Sequence, residues 1–486
     1  MESVSRRTLL VGSGAFAAAG LLGACDTAAD SGGGGAKSGA RTLTWWDHSP
    51  NLKPINLKTF TEFEKRPDGA KVQYTLQQTS KMGQALQLAK QSHQLPDITT
   101  AAGLDGLPLS SLVEGGWFQP LQLESEALAR LKPNLYDGFH RIDGKLYTFP
   151  LFHTRTHSTA LWFNTELAEK AGLDPAAPPR TFDDFRAAAR KMQDASGGGN
   201  GWICNLGMTP RLGAQVDDLA ESCGFLGAGG QLFRTGEFAY HDPAFLTAIE
   251  FLQSMAKDKL MAPGSNTMDD KEARARFATG RIGYYLDGPW CAGVINETLK
   301  AFSPKLGGTG LLTPDAGTKP AVYVPPTNGM YHITATAKDA ALASKLLSMA
   351  TTEEYYVGIA KGMARPPLDL KAIDKAGVLP AYKAVVDSFQ TEAFLAPSRL
   401  LKNPAVSAVQ AKSKPITPGL GEIVQGVFSG DVTDLKAELI KLSDAANKQQ
   451  DANIAAATKA GAKVSRDDFV FPDWTPHVDY GPEKYK

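Results

Sequence analysis

Aromatic and acidic residues stand at the ends of apolar runs in this sequence, and they define the chemistry open to it. Arg41–Asp47 reads Arg-Thr-Leu-Thr-Trp-Trp-Asp and is followed by His48; Arg281–Leu286 ends in Asp287-Gly288-Pro289-Trp290. Where an apolar strand gives way to such a turn in an open α/β sheet, the turn side chains face the ligand crevice. There an indole offers a flat apolar face and a carboxylate accepts hydrogen bonds. Trp290 is the first candidate for a stacking platform, the alternative being packing within its own lobe. Trp46, Asp47 and His48 come next. Strand alternation sends Trp45 and Trp46 to opposite sides, and Trp45 is the one expected in the core. Asp105, in the turn after 95–100, sits at a similar edge, either as an acceptor for ligand or as the former of an Asx turn. Trp202, after the Gly-rich loop 196–201, either stacks on ligand or caps that loop. Asn328, after Pro325-Pro326-Thr327, and Arg365, beside Pro366-Pro367, are further candidates, and Trp162 is expected in the core.

Other chemistries find little support. Glycosidic hydrolysis needs paired carboxylates; Asp47, Asp105 and Asp287 could form such a set, but they lie on separate strands with no supporting motif. A carbohydrate-active enzyme is therefore an alternative, and no catalytic residue is assigned. There is no CxxC, no HExxH and no P-loop, so no metal or cofactor is expected. His153 and His157 are four apart but in an extended segment, where they do not converge. The 51 basic and 51 acidic residues give zero formal charge, which argues against a nucleic-acid surface. Of the four cysteines, Cys204 and Cys223 could pair in an oxidising compartment, although spacing alone does not fix their geometry.

The elements that must position these residues alternate in period. Arg41–Asp47 reads as a strand, 55–66 as a helix, 71–76 as a strand, 81–94 as an amphipathic helix and 95–100 as a short strand. That alternation predicts an α/β lobe on a mostly parallel sheet. A second lobe begins after Pro150, with strands at 158–163 and 281–286. Its helices are expected at 165–171, 183–195 (capped by Thr181 or Asp183), 213–224, 243–257 and 269–279. The last third carries a strand at 331–336 and helices at 338–350, 352–361 and 431–459, then an irregular tail.

The N-terminus has its own chemistry. Arg6-Arg7 precede an apolar run from Leu9 to Ala24 that ends at Cys25. That run falls short of the ~20 residues a spanning helix needs, and the layout is that of a secretory signal. Ser5-Arg6-Arg7-Thr8-Leu9-Leu10 resembles a twin-arginine export signal, and Leu22-Gly23-Ala24-Cys25 resembles the lipobox of bacterial lipoproteins, whose cysteine thiol is diacylated. Residues 26–41, small, polar and Gly-rich, read as a flexible tether. Export, with lipid attachment through Cys25 to the outer face of the cell membrane, is the expectation; roughly 445 residues then remain for folding.

Several segments together resemble the extracellular solute-binding proteins of ABC importers, in the carbohydrate-type family that includes maltose-binding protein. They are Asp143-Gly144-Lys145-Leu146-Tyr147-Thr148-Phe149-Pro150, Leu161-Trp162-Phe163-Asn164, Lys170-Ala171-Gly172, Pro179-Arg180-Thr181-Phe182-Asp183-Asp184-Phe185, Gly280–Trp290 and Val424–Gly430. The resemblance spans residues 42–455 and implies a two-lobed α/β fold with a hinge and an inter-lobe cleft. It implies a first lobe of 42–152 plus about 291–333, a second of 153–290 plus about 334–430, and a C-terminal helix and tail at 431–486. Crossings are expected near 150–157, 286–292 and 330–336, with His153 and Arg155 at the hinge. The implied function is capture of a sugar or oligosaccharide outside the cell by a monomer and delivery to a membrane permease with a cytoplasmic ATPase. The family's matching tryptophan at the Trp290 position stacks on sugar rings. The 396–420 region carries no tryptophan, unlike maltodextrin receptors, which leaves a long maltodextrin less secure as ligand. A receptor of the same fold for a polyol phosphate, peptide or polyamine is the alternative. An anionic ligand should call for clustered cations, of which the sequence offers only Arg155 and Arg365.

Overall fold

The computed structural model describes residues 41–485 apart from 105, 106 and 327; Cys25 and the export signal lie outside the described residues, as does Asp105. The chain opens with β1 (Thr42–Asp47), α1 (Lys53–Glu64), β2 (Lys71–Leu76), α2 (Thr79–Gln91), β3 (Ile98–Thr100), α3 (Leu109–Glu114) and β4 (Phe118–Gln119). β1 runs parallel to both β2 and β3, with Trp45 opposite Tyr74 and Ile98. The helices between them are the crossovers that parallel pairing requires.

A second sheet forms from β5 (Ala160–Asn164), α4 (Phe182–Ala195), β6 (Asn200–Ile203), α5 (Thr209–Ser222), α6 (Pro243–Lys257), β7 (Ile282–Asp287), α7 (Trp290–Thr298) and β8 (Leu306–Thr309). Thr181 caps α4 by accepting from the Asp184 N–H at 3.1 Å, and Asp242 caps α6 in the same way. There follow β9 (Val322–Val324), β10 (Tyr331–Thr334), α8 (Ala340–Met349), α9 (Glu353–Lys361), α10 (Pro380–Glu392), β11 (Ala393–Leu395), α11 (Leu420–Ser429) and α12 (Leu435–Lys459). The first sheet has the order β2-β1-β3-β10-β4 and the second β8-β5-β7-β6; β9 pairs with β11 in a small third sheet.

The second sheet is buried on both faces. Leu161, Phe163, Tyr284 and Leu286 join Phe185, Trp202, Phe245 and Phe251 in one core. Their neighbours Trp162 and Tyr285 point the other way, into a core shared with Trp45, Phe60, Ile98 and Tyr331 of the first lobe. That shared core keeps the two lobes continuous at their junction.

The passage of the chain between the sheets departs from the expected one. β8 pairs with β5, so part of 291–333 belongs to the second sheet. α8 and α9 pack against α1, so part of 334–430 stays with the first. Residues 286–292 lead from β7 into α7, and the chain then re-enters the second sheet at β8. After α9 the chain passes beside the first crossing through 366–368. There Phe152 bridges Pro367, the His153 N–H donates to Pro366 O at 2.9 Å and the Leu368 N–H donates to Leu151 O at 2.8 Å. Amphipathic helices such as α8 and α9 fit either sheet, so their sequences carried no sign of which they would join. Gly293 allows close packing beside this crossing, because a Cβ there would lie 2.2 Å from Gly362 O.

Candidate ligand-binding site

A cavity of about 490 Å³ opens beyond the carboxyl end of β3, within the roughly 300–1,000 Å³ of small-molecule sites. One wall comes from the first lobe: Ala101, Leu109 and Leu112, Phe139, Thr148, Asn328, Gly329 and His332. The other comes from Gln231 and Phe233, from Ser398–Leu400, Gln410 and Ser413, and from Phe469 and Phe471 of the tail. His332 stacks on Phe118 at 4.2 Å, and burial pushes its pKa down to about 3, so it lines the wall as a neutral ring. Aromatic and aliphatic faces with a few amide and hydroxyl groups suit a ligand with both C–H faces and hydroxyls.

The sequence candidates fall into four groups. Asn328 is exposed and lines the cavity. His48 reaches it indirectly, since its Nδ1 shares a hydrogen bond of 2.8 Å with the Thr100 hydroxyl, next to Ala101. Trp46 is half-buried against the cluster of Met82, Leu86 and Leu112.

Asp47 and Asp287 are fully buried. Asp47 accepts from the backbone of His48 and Ser49, from Asn56 and from the Tyr331 and Tyr74 hydroxyls. Burial raises its pKa despite these donors. Asp287 is held by Arg211 at 2.9 Å and Arg274 at 2.7 Å. Neither carboxylate presents an oxygen to solvent, and the set imagined for hydrolysis loses both.

Trp290 heads α7 at the end of β7 and is half-buried. Its indole N–H donates to Asp287 Oδ1 at 3.0 Å, the Arg211 guanidinium lies 4.3 Å from its ring centroid, and the ring packs on Gly288. His153 and Arg365 meet at the paired crossing. Arg365 lies 5.0 Å from the Phe152 ring and, among the described residues, has no carboxylate partner. Burial pulls its pKa down to about 10 and lowers that of His153.

Two candidates lie elsewhere. Trp202 is fully buried in β6, edge-on to Phe185, because the strand starts within the supposed Gly-rich loop and turns the indole into the core. Arg155 bonds Ala393 O and Asp479 and so ties the first crossing to the C-terminal tail. Cys204, Cys223 and Cys291 are free thiols, and burial pushes Cys204 and Cys223 up to about 12. Sequence reasoning missed Phe139, Phe233, Arg399, Phe469 and Phe471. The alternating Phe469-Val470-Phe471 was the one available signal, and it sits in a tail read as irregular.

A model of the family described as "Bacterial extracellular solute-binding protein" matches residues 30–357. The sn-glycerol-3-phosphate-binding periplasmic protein of Agrobacterium fabrum is 26% identical over 164 residues, 33% of this chain and 35% of that protein. An ABC transporter solute-binding protein from Thermotoga lettingae, solved with α-D-tagatose, superposes with a TM-score of 0.62 at 21% identity, covering 85% of this chain and 100% of that one. The Thermus thermophilus maltotriose-binding protein, solved with maltotriose, gives 0.59 at 19% identity over 84% of this chain and 99% of its own. The chain has the two-lobed α/β fold of these structures, and it belongs to the bacterial extracellular solute-binding protein family.

Proposed function

We propose that the protein is the substrate-binding component of an ABC importer, capturing a sugar or oligosaccharide outside the cell and handing it to a membrane permease driven by a cytoplasmic ATPase. The observation that carries this reading is the cavity, enclosed by both parts of the chain and lined by aromatic faces with a few amides and hydroxyls. The paired crossing at 151–153 and 366–368 supplies a hinge about which the lobes close on ligand. Ligand then acts by favouring the closed state over the open one. The role is binding without turnover, by a monomer. Diacylation of Cys25 gives the two chains that stable membrane attachment requires, and the Gly-rich tether holds the receptor near its permease at raised effective concentration.

A thermal-shift screen against mono- and oligosaccharides tests the reading, since a ligand at 100 times its Kd adds about 2.7 kcal/mol of stability. A saturable shift without release of sugar from a chromogenic glycoside supports it. Turnover, or no shift with any saccharide, overturns it. For the anchor, Cys25→Ser should release the protein from the membrane fraction and abolish its lipid mass increment.

A second reading, a receptor for a phosphorylated polyol, is favoured by one observation: the curated relative from Agrobacterium fabrum is named for glycerol 3-phosphate binding, and the match covers a third of each chain. Competition between glycerol 3-phosphate and neutral sugars separates the two.

A further inference from the structure

The short helix Arg399–Lys402 carries a cation at each end, and the two are treated differently. Lys402 donates to two backbone carbonyls, Asp467 O at 2.6 Å and Val470 O at 2.7 Å, and so clamps the turn to the tail. Arg399 lines the cavity, yet among the described residues no carboxylate or hydrogen-bond acceptor meets its guanidinium. It lies 5.6 Å from the Phe469 ring and within electrostatic reach of Tyr240. Burial lowers its pKa without neutralising it.

A half-buried guanidinium that faces a cavity with no acceptor of its own keeps its donors free for a ligand. A ring face meets part of its charge, while an oxyanion takes the planar fork in two parallel bonds. The surroundings fit an incoming anion. Among the described residues, neither this cavity nor the adjoining one of about 260 Å³, which shares Arg399, Gln410 and Ser413 with it, is lined by an aspartate or glutamate. Gln410, which lines both cavities with Arg399, offers an amide to a hydroxyl.

We infer that the captured solute is a saccharide or polyol bearing an oxyanion, a carboxylate or a phosphate, and that Arg399 holds this group. This rests on the receptor reading above and narrows its substrate class. It also supplies the cation that the sequence lacked, since Arg155 is consumed by Asp479.

The test is calorimetry on the purified protein with matched probes: digalacturonate against neutral digalactose, and glycerol 3-phosphate against glycerol. The anionic member of at least one pair should bind tenfold or more tighter, with the difference shrinking as salt is raised; which pair responds identifies carboxylate or phosphate. Arg399→Gln should weaken the anionic member far more than the neutral one and so abolish that preference. Arg399→Lys, which keeps the charge but loses the fork, should fall between, and its thermal midpoint guards against misfolding. Equal or tighter binding of the neutral members, or a preference that survives Arg399→Gln, overturns the inference and leaves the sugar-receptor reading standing. Failure of every saccharide and polyol to bind overturns both.

Discussion

Asp47 closes β1 and Asp287 closes β7, and each is fully buried at the carboxyl end of its own sheet in a ring of donors. Asp47 is ringed by two backbone N–H groups, an asparagine and two tyrosines. Asp287 is ringed by two arginines, the Gly288 N–H and the Trp290 indole. The position where open α/β sheets offer ligand contacts is thus used in both lobes to fix the turn that follows the strand. The half-buried side chains stand one step outward: His48 beyond Asp47, Trp290 beyond Asp287.

Asp287→Ala tests this positioning role on stability. It leaves Arg274, buried and still bonded to Asp270 at 2.7 Å, without its main counter-charge. Breaking such a buried pair costs about 3–5 kcal/mol. Denaturant unfolding should show the loss. Asp47→Asn keeps the shape but sets an amide N–H against existing donors, and should cost about 1–3 kcal/mol. A change below about 0.5 kcal/mol in both would mean that the rings of donors do not hold the turns.

Trp290 is the outward partner of that arrangement. Replacing it with Ala should weaken binding of the tightest saccharide tenfold or more, about 1.4 kcal/mol, with Trp290→Phe recovering part of the loss. Arg211 occupies a ring face in this structure at 4.3 Å, so stacking by ligand requires that guanidinium to yield. Unchanged affinity in Trp290→Ala would leave the indole as packing for the β7 turn.

A pH effect follows from α5. Burial raises Asp217 to about 7, with the Asp218 charge adding to it and the Gly229 and Gly230 N–H groups opposing it. A carboxyl whose pKa is higher folded than unfolded holds its proton better in the folded state, so its contribution to stability falls as pH climbs from about 4 to 7. Asp217→Asn removes that titration and keeps an acceptor for the glycine N–H groups. It should stabilise the protein by on the order of 1 kcal/mol at pH 8 and by almost nothing at pH 4. Thermal midpoints of both proteins across that range give the comparison, and a parallel offset at every pH would refute the assignment to Asp217.

Much of this architecture was legible because its signals are local. The β2 strand and α6 fall where their periods placed them, and the N-cap at Thr181 was readable from an Asp two and three residues on. Strand alternation put Trp45 and Trp46 on opposite faces, and Trp45, the one expected in the core, is there. The site was harder because it is assembled from long-range contacts. Phe233, Arg399 and Phe469 share one cavity although 236 residues separate the first from the last. Asp47 looked like an exposed acceptor because nothing near it announces Tyr331, which meets it from 284 positions away. Trp202 was misplaced for a simpler reason: β6 begins at Asn200, inside a run of glycines that reads as loop.

Arg155 gives the sharpest separation between a ligand contact and a structural one. It sits on the first crossing, yet its guanidinium bonds Ala393 O and Asp479, while the other oxygen of Asp479 accepts from the Leu395 N–H at 2.8 Å. The Tyr480 N–H returns a bond to Leu395 O at 2.8 Å, so the tail is stitched to β11 beside the hinge. Removing one partner of a part-buried, charge-assisted pair costs about 1.5–3 kcal/mol. Arg155→Ala should therefore loosen the 466–485 segment, which limited proteolysis followed by mass spectrometry would reveal as early cleavage there. Saccharide affinity should stay within twofold. Loss of affinity with the tail still protected would instead put Arg155 in the binding site.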